Sequence, residues 1–224
     1  MTQIEEQEMT QQSEGRRQES QWYQAKVLVY FAGFLPLILL LGAYNRGELG
    51  FNPVESILHR TGQIAVVFLL LSLASTPINR LFKTPLIGWL RKPLGLFAAL
   101  YAGLHFLTFA LLDYGFNFAL IWEEIRQRPF ILIGAVALVI LVILVATSFR
   151  FWQRKMGKAW FWLHRLVYLA GFLGVTHYLL SVKGDLLTLQ GNYTAPLIAG
   201  GVLLLLLAIR LPIIRRLLLK KHKK

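Results

Sequence analysis

The sequence contains no cysteine. That absence removes disulfides, cysteine-ligated iron–sulfur clusters, a thiolate nucleophile and a covalently attached c-type haem together. Any metal is left to histidine or oxygen ligands. Charge is also scarce: Asp, Glu, Lys and Arg make up 16% of the 224 residues, where a soluble domain carries about 25%. Acidic residues are rarer still, 11 against 24 Lys and Arg. Methionine is down to Met1, Met9 and Met156. None of these lies in an apolar run, which argues against methionine as an axial ligand. The opening MTQIEEQEMTQQSEGRRQES has no apolar stretch followed by a small-residue cleavage site. Residues 1–26 are therefore expected to be a short, poorly ordered polar tail rather than a signal peptide.

What remains is apolar, 56% of the chain, and it is gathered into runs. A spanning helix needs about 20 predominantly apolar residues, and six stretches qualify: Val27–Tyr44, Thr61–Ile78 closed by Pro77, Pro93–Leu112, Pro129–Phe149, Trp160–Val182 and Tyr193–Ile209. The prolines opening the third and fourth stand where a helix tolerates them best. No internal repeat is visible, and the loops are too short to hold a second domain. The expectation is an all-α integral membrane bundle of six transmembrane helices spanning residues 27–214, with a basic tail over 215–224.

The net charge of +13 would suggest nucleic acid in a soluble protein, but its placement reads as membrane orientation. Arg80, Lys83, Arg91 and Lys92 fall between spans two and three; Arg150, Arg154, Lys155 and Lys158 fall between spans four and five. The C-terminal tail adds Arg210, Arg215, Arg216, Lys220, Lys221, Lys223 and Lys224. The opposite side carries only Arg46, Arg60, Arg126, Arg128 and Lys183. Both termini are thus expected in the cytoplasm. Glu48, Glu55, Asp113, Glu123, Glu124 and Asp185 all sit on the outer side, a possible docking feature.

Ionisable groups inside a membrane are costly and mark function, which singles out His105, His164 and His177. A lone intramembrane histidine is as readily a neutral imidazole bonded to a neighbouring helix as a ligand; three of them in two spans shift the balance. Spans three and five run parallel. His105 lies 12 residues past Pro93 and His177 lies 17 past Trp160, roughly 18 and 25 Å from the inner edge at about 1.5 Å per residue. They can share a ligand plane in the outer half, whereas His164 sits near the inner surface. Two imidazoles facing each other from different helices suit the axial positions of a b-type haem; zinc would need three or four ligands at one depth. On a continuous helix His164 and His177 are roughly 140° out of register, so a shared neighbour requires a distortion, for which Gly171 and Gly174 are candidates. Arg165 and Arg91 are either orientation charges at the inner interface or partners of haem propionates. His59 reads as exposed just ahead of span two, and His222 belongs to the tail.

Five segments carry a family resemblance: HRTG at His59–Gly62, STP at Ser75–Pro77, RKPLGLFAALYAGLHFLTFALLD at Arg91–Asp113, RPFILIG at Arg128–Gly134 and WFWLHRLVYLAGFLGVTHY at Trp160–Tyr178. With them the chain, from about Gly33 onward, resembles the haem-binding membrane subunits of bacterial protein-methionine-sulfoxide reductase systems, the MsrQ family of the ferric reductase-like transmembrane superfamily. The resemblance implies haem ligands at His105, His164 and His177. It also implies a multi-pass protein of the bacterial inner membrane that passes electrons to a periplasmic, MsrP-like molybdopterin reductase repairing oxidised methionines. Two-haem relatives carry a second histidine 14 positions before the first on span three; here that position is Arg91, so haem b is expected once, with a second at His164 left open. Those relatives also continue into a flavin and nicotinamide domain, whereas this chain stops at Lys224. Electrons are therefore expected from the quinone pool or a cytosolic flavin reductase, with no substrate-reducing site in the chain itself. FMN is implied by resemblance alone. The alternatives are a ferric or superoxide-type transmembrane reductase, and a redox-silent anchor or transporter.

Overall fold

The computed structural model describes residues 3–82, 84–182 and 191–210. Lys83, Lys183, Asp185, His222 and the basic tail over 215–224 singled out above lie outside the described residues. No strand occurs among the described residues. The helices are α1 (Gln3–Asn45), α2 (Pro53–Phe82), α3 (Pro85–Leu107), α4 (Phe118–Gln127), α5 (Pro129–Ala146), α6 (Arg150–Met156), α7 (Lys158–Leu163), α8 (Leu166–Leu180) and α9 (Thr194–Ala208). Among the described residues, four stretches are long and apolar enough to cross a membrane: Glu19–Asn45, Pro53–Phe82, Pro85–Asp113 and Pro129–Ala146. Helices α8 and α9 are apolar but have 15 residues each.

The chain divides into two compact units, residues 1–46 and 47–224. The first holds α1. Residues 3–26, expected to be a poorly ordered tail, are helical there and run on into the apolar segment without a break.

In the second unit, α2 packs against α3 and α5 against α8, each pair antiparallel. Leu58 of α2 meets His105 of α3, while further along the same pair Ser72 donates its hydroxyl to the Arg91 carbonyl at 2.8 Å. Between them the Phe68 ring lies 5.4 Å from Phe97 and 5.5 Å from Tyr101. In the other pair Phe130 meets His177 at one end and Thr147 meets His164 at the other. Lys92 Nζ donates to the Ser148 carbonyl at 3.0 Å, so the start of α3 lies beside the end of α5. Leu73, Val175, Ala199, Leu203 and Leu206 join α2, α8 and α9 in a common core. Helix α5 buries Ala137, Ile140, Leu141 and Leu144 while exposing Val136, Val139, Val142 and Ile143. A helix apolar on every side belongs in lipid or a core; among lipid tails, packing and hydrogen bonds rather than the hydrophobic effect hold helices together.

Three boundaries differ from expectation for physical reasons. Helix α2 does not end at Pro77 but runs to Phe82. Pro77 has no N–H, so the Leu73 carbonyl loses its helical donor; Arg210 supplies one, Nη2 donating to that oxygen at 2.6 Å, with its guanidinium 4.5 Å above the Tyr168 ring. Lipid leaves no other donor for such an oxygen. Arg210, counted above as an orientation charge, is thus half-buried and spent on the proline. Helix α3 opens at Pro85, and Pro93 is buried inside it. The fifth apolar stretch breaks at His164–Arg165 between α7 and α8, where Arg165 N–H bonds the Trp162 carbonyl and Tyr168 N–H bonds the Arg165 carbonyl. The distortion sits at His164 itself, not at Gly171 or Gly174, so the ideal-helix register between His164 and His177 does not apply.

Candidate functional site

His105 and His177 meet. Their ring centroids are 6.0 Å apart and the ring planes are inclined at 79°. Each imidazole is held from behind by a backbone oxygen: His105 Nδ1 bonds the Leu58 carbonyl at 2.9 Å, and His177 Nδ1 bonds the Phe130 carbonyl at 2.7 Å. A carbonyl oxygen only accepts, so Nδ1 carries the proton in both rings. Nε2 is left with a free lone pair, the atom a metal takes. An Nδ1–H···O=C bond of this kind fixes the tautomer and orientation of a metal-bound histidine.

The two rings line a cavity of about 430 Å³. Its walls are apolar where α2, α3, α5 and α8 face one another, with Ala65, Leu69, Ala102, Leu138, Leu141 and Ala170. Polar residues, Glu55, His59, Asp113, Tyr114, Glu124 and Arg128, come from the helix ends and loops on the histidine side. There Arg128 Nε pairs with Glu124 at 2.8 Å and His59 lies 3.7 Å from Glu55. Burial, with Glu124 beside it, pushes the Tyr114 phenol above its ordinary value. Helix α3 widens just after His105 into a π-helical turn over Thr108–Asp113, a feature frequent at functional sites.

His164 is at the other end of the bundle and its environment differs. Trp160 stacks on its ring at 4.0 Å and donates its indole N–H to the Thr147 carbonyl at 2.8 Å. The Thr147 hydroxyl donates to the Ile143 carbonyl at 2.7 Å and so accepts from His164 Nε2 at 3.1 Å. The proton is on the opposite nitrogen from that of the outer pair. The Arg91 side chain is exposed. Arg165 is exposed as well and stacks on Trp162 at 4.4 Å. The five expected site residues therefore fall into one converging pair and an inner group with a single imidazole. Among the described residues no set of three or more His, Asp or Glu side chains converges on a metal position.

The donor set fits a haem iron better than a bare ion. A metal–imidazole bond of about 2 Å on each side, with about 1 Å more to each ring centre, spans roughly 6 Å, and the cavity between offers apolar walls instead of further ligands. Two residues that matter here went unread in the sequence, although the segments containing them stood out. They are Gly62 in HRTG and Gly134 in RPFILIG, each lying against an imidazole.

A helical membrane bundle with two neutral, carbonyl-anchored imidazoles facing a shared apolar cavity is the architecture of a transmembrane redox-cofactor protein. Residues 61–175 match the family described as ferric reductase like transmembrane component. Over 198 residues, 85% of this chain and 89% of the relative, the sequence is 42% identical to the protein-methionine-sulfoxide reductase heme-binding subunit MsrQ of Rhodospirillum rubrum. The chain belongs to the ferric reductase-like transmembrane family and, within it, to the MsrQ family.

Proposed function

We propose that this chain is the electron-transferring membrane subunit of a two-component reductase, with one b-type haem held between His105 and His177. The observation that carries the proposal is the pair of imidazoles 6.0 Å apart, each with Nδ1 committed to a carbonyl. Bound there, the haem supplies reversible one-electron chemistry between ferric and ferrous iron. His105 and His177 hold their Nδ1 protons on Leu58 and Phe130 and present Nε2, while the apolar walls keep water from the metal position.

The six apolar runs support six crossings over residues 27–214, and the charge asymmetry supports Lys- and Arg-rich loops and both termini in the cytoplasm. In that orientation the paired histidines lie toward the periplasm and His164 toward the cytoplasm, in a bacterial inner membrane. Electrons enter from the quinone pool or a cytosolic flavin reductase and leave to a periplasmic, MsrP-like molybdopterin reductase that repairs methionine sulfoxide. The relative's name, heme-binding subunit of a protein-methionine-sulfoxide reductase, supports the haem and the methionine-sulfoxide chemistry of this assignment. His164 has Nε2 bonded to Thr147, and the position expected for its partner is Arg91; both favour one haem over two.

The test is haem-to-protein stoichiometry with a redox titration of the purified chain. One b-type haem per chain, with a Soret band that shifts on dithionite, is expected. A haem-replete preparation without a Soret band would overturn the reading.

A further inference from the structure

The two histidine anchors are copies of one device. Leu58, Gly62 and His105 each have a counterpart 72 positions further on, in Phe130, Gly134 and His177. In both sets the acceptor carbonyl lies one helical turn before the glycine, on the helix that packs antiparallel to the histidine's own. In both sets the glycine is where the ring sits. A Cβ at Gly62 would meet His105 Nδ1 at 2.9 Å and Cε1 at 3.1 Å; one at Gly134 would meet His177 Nδ1 at 2.7 Å, Cε1 at 2.8 Å and Cγ at 3.0 Å. These atoms belong to a rigid ring already tied to a carbonyl and cannot swing aside as a flexible chain end would. Glycines elsewhere in the bundle behave differently. Gly171 faces the methyl groups of Leu73 and Leu203, and Gly103, on the same helix as His105, has nothing within 4 Å.

We propose that Gly62 and Gly134 are positioning residues of the cofactor site. The side chain each lacks is the slot through which an imidazole reaches the carbonyl one turn earlier, and that reach fixes Nδ1–H and turns Nε2 to the metal. The inference rests on the haem reading above and adds a specific claim: one helix pair, α2–α3, and a second, α5–α8, anchor by the same geometry the two imidazoles that would hold the haem iron. The copies are unequal. His105 bonds the Leu58 carbonyl at 2.9 Å, where the buried Thr61 hydroxyl, which donates to the Ile57 carbonyl at 2.7 Å, also lies within 3.0 Å, whereas Phe130 accepts His177 at the shorter 2.7 Å. The Gly134 slot is both the tighter and the more strongly anchored of the two.

Alanine in either slot pushes the ring off its carbonyl. The imidazole loses the bond that raises its basicity, and loss of such a partner lowers metal affinity by about 10–100-fold. Gly134→Ala, Gly62→Ala and Gly103→Ala are to be made in the full chain and purified with haem. Haem transfer to an acceptor globin, the midpoint potential and the low-spin electron paramagnetic resonance signal are then measured. The expected result is faster transfer and a higher potential in the order Gly134→Ala, then Gly62→Ala, with Gly103→Ala at wild-type values. Gly62→Ala, the milder contact, keeps the test open if Gly134→Ala does not fold. A wild-type chain without a Soret band would sink the haem reading. Normal wild-type haem with unchanged transfer, potential and resonance in Gly62→Ala would sink this inference alone.

Discussion

The two ends of the bundle treat their histidines in opposite ways. At one end two imidazoles from different helices converge at 6.0 Å, each bonded through Nδ1 to a backbone oxygen and each seated against a glycine. At the other, one imidazole bonds through Nε2 to the Thr147 hydroxyl and is covered by the Trp160 indole. The residue type is the same, but the nitrogen left free is not. An intramembrane histidine becomes a ligand through what occupies its other nitrogen and whether a second one faces it, and only one end meets both conditions.

The largest test of that contrast removes the rings themselves. His105→Ala and His177→Ala should each abolish the haem spectrum, because each removes one of the two imidazoles that converge there. His164→Ala should leave it intact. Optical spectra of the three purified variants decide this; equal loss from all three would erase the distinction between the ends.

Much of this contrast is legible in sequence, and what is not has a physical cause. The depth of His105 and His177 follows from helical rise along parallel spans, so their pairing can be anticipated from chain position alone. The break at His164 cannot, since its side-chain contacts are made across the bundle to Thr147, just past the end of α5, whose carbonyl takes the Trp160 N–H and whose hydroxyl takes the His164 N–H. The roles of Gly62 and Gly134 were hidden for a similar reason: a glycine in an apolar helix shows what is missing, not which neighbour fills the space. Pro77 looked like a helix end because its compensation comes from Arg210, 133 positions away.

That compensation gives the next largest effect and tests whether the end holding His164 is built for packing. Arg210→Leu strips the Leu73 carbonyl of its donor and should cost about 1–3 kcal/mol of stability, the penalty for a buried acceptor left unmade. Pro77→Ala restores an N–H to the same carbonyl, so Arg210→Leu should cost markedly less in that background. Unfolding of the single and double variants in mixed micelles gives the coupling; strict additivity would mean that Arg210 does not serve the proline.

Thr147→Val probes the inner imidazole directly. It removes one hydroxyl that both accepts from His164 and donates to Ile143, and interhelical bonds of this kind are worth about 0.6 kcal/mol on average. A small loss of stability with an unaltered haem spectrum is expected. A shifted spectrum would show that His164 belongs to a redox centre after all and that the two ends are alike in function.

The smallest effect concerns the acidic loops at the outer end. Hydrogen bonding from Gln127, then the charge of Arg126, holds the Glu123 carboxyl below its ordinary value of 4.5. A depressed carboxylate contributes stability above its unfolded value and loses it as pH falls through the folded one. The pair is solvent-exposed, where such interactions are weak, so acidification should loosen α4 locally without unfolding the bundle. Hydrogen exchange compared at neutral pH and well below 4.5, each rate corrected for the intrinsic pH dependence of amide exchange, should show lower protection over Phe118–Gln127 at the acidic pH. The segment around His164, whose ring bonds a hydroxyl and no carboxylate, should change less. Equal loosening of both segments would mean that acid acts on the bundle as a whole, and that the asymmetry between its ends is confined to the histidines.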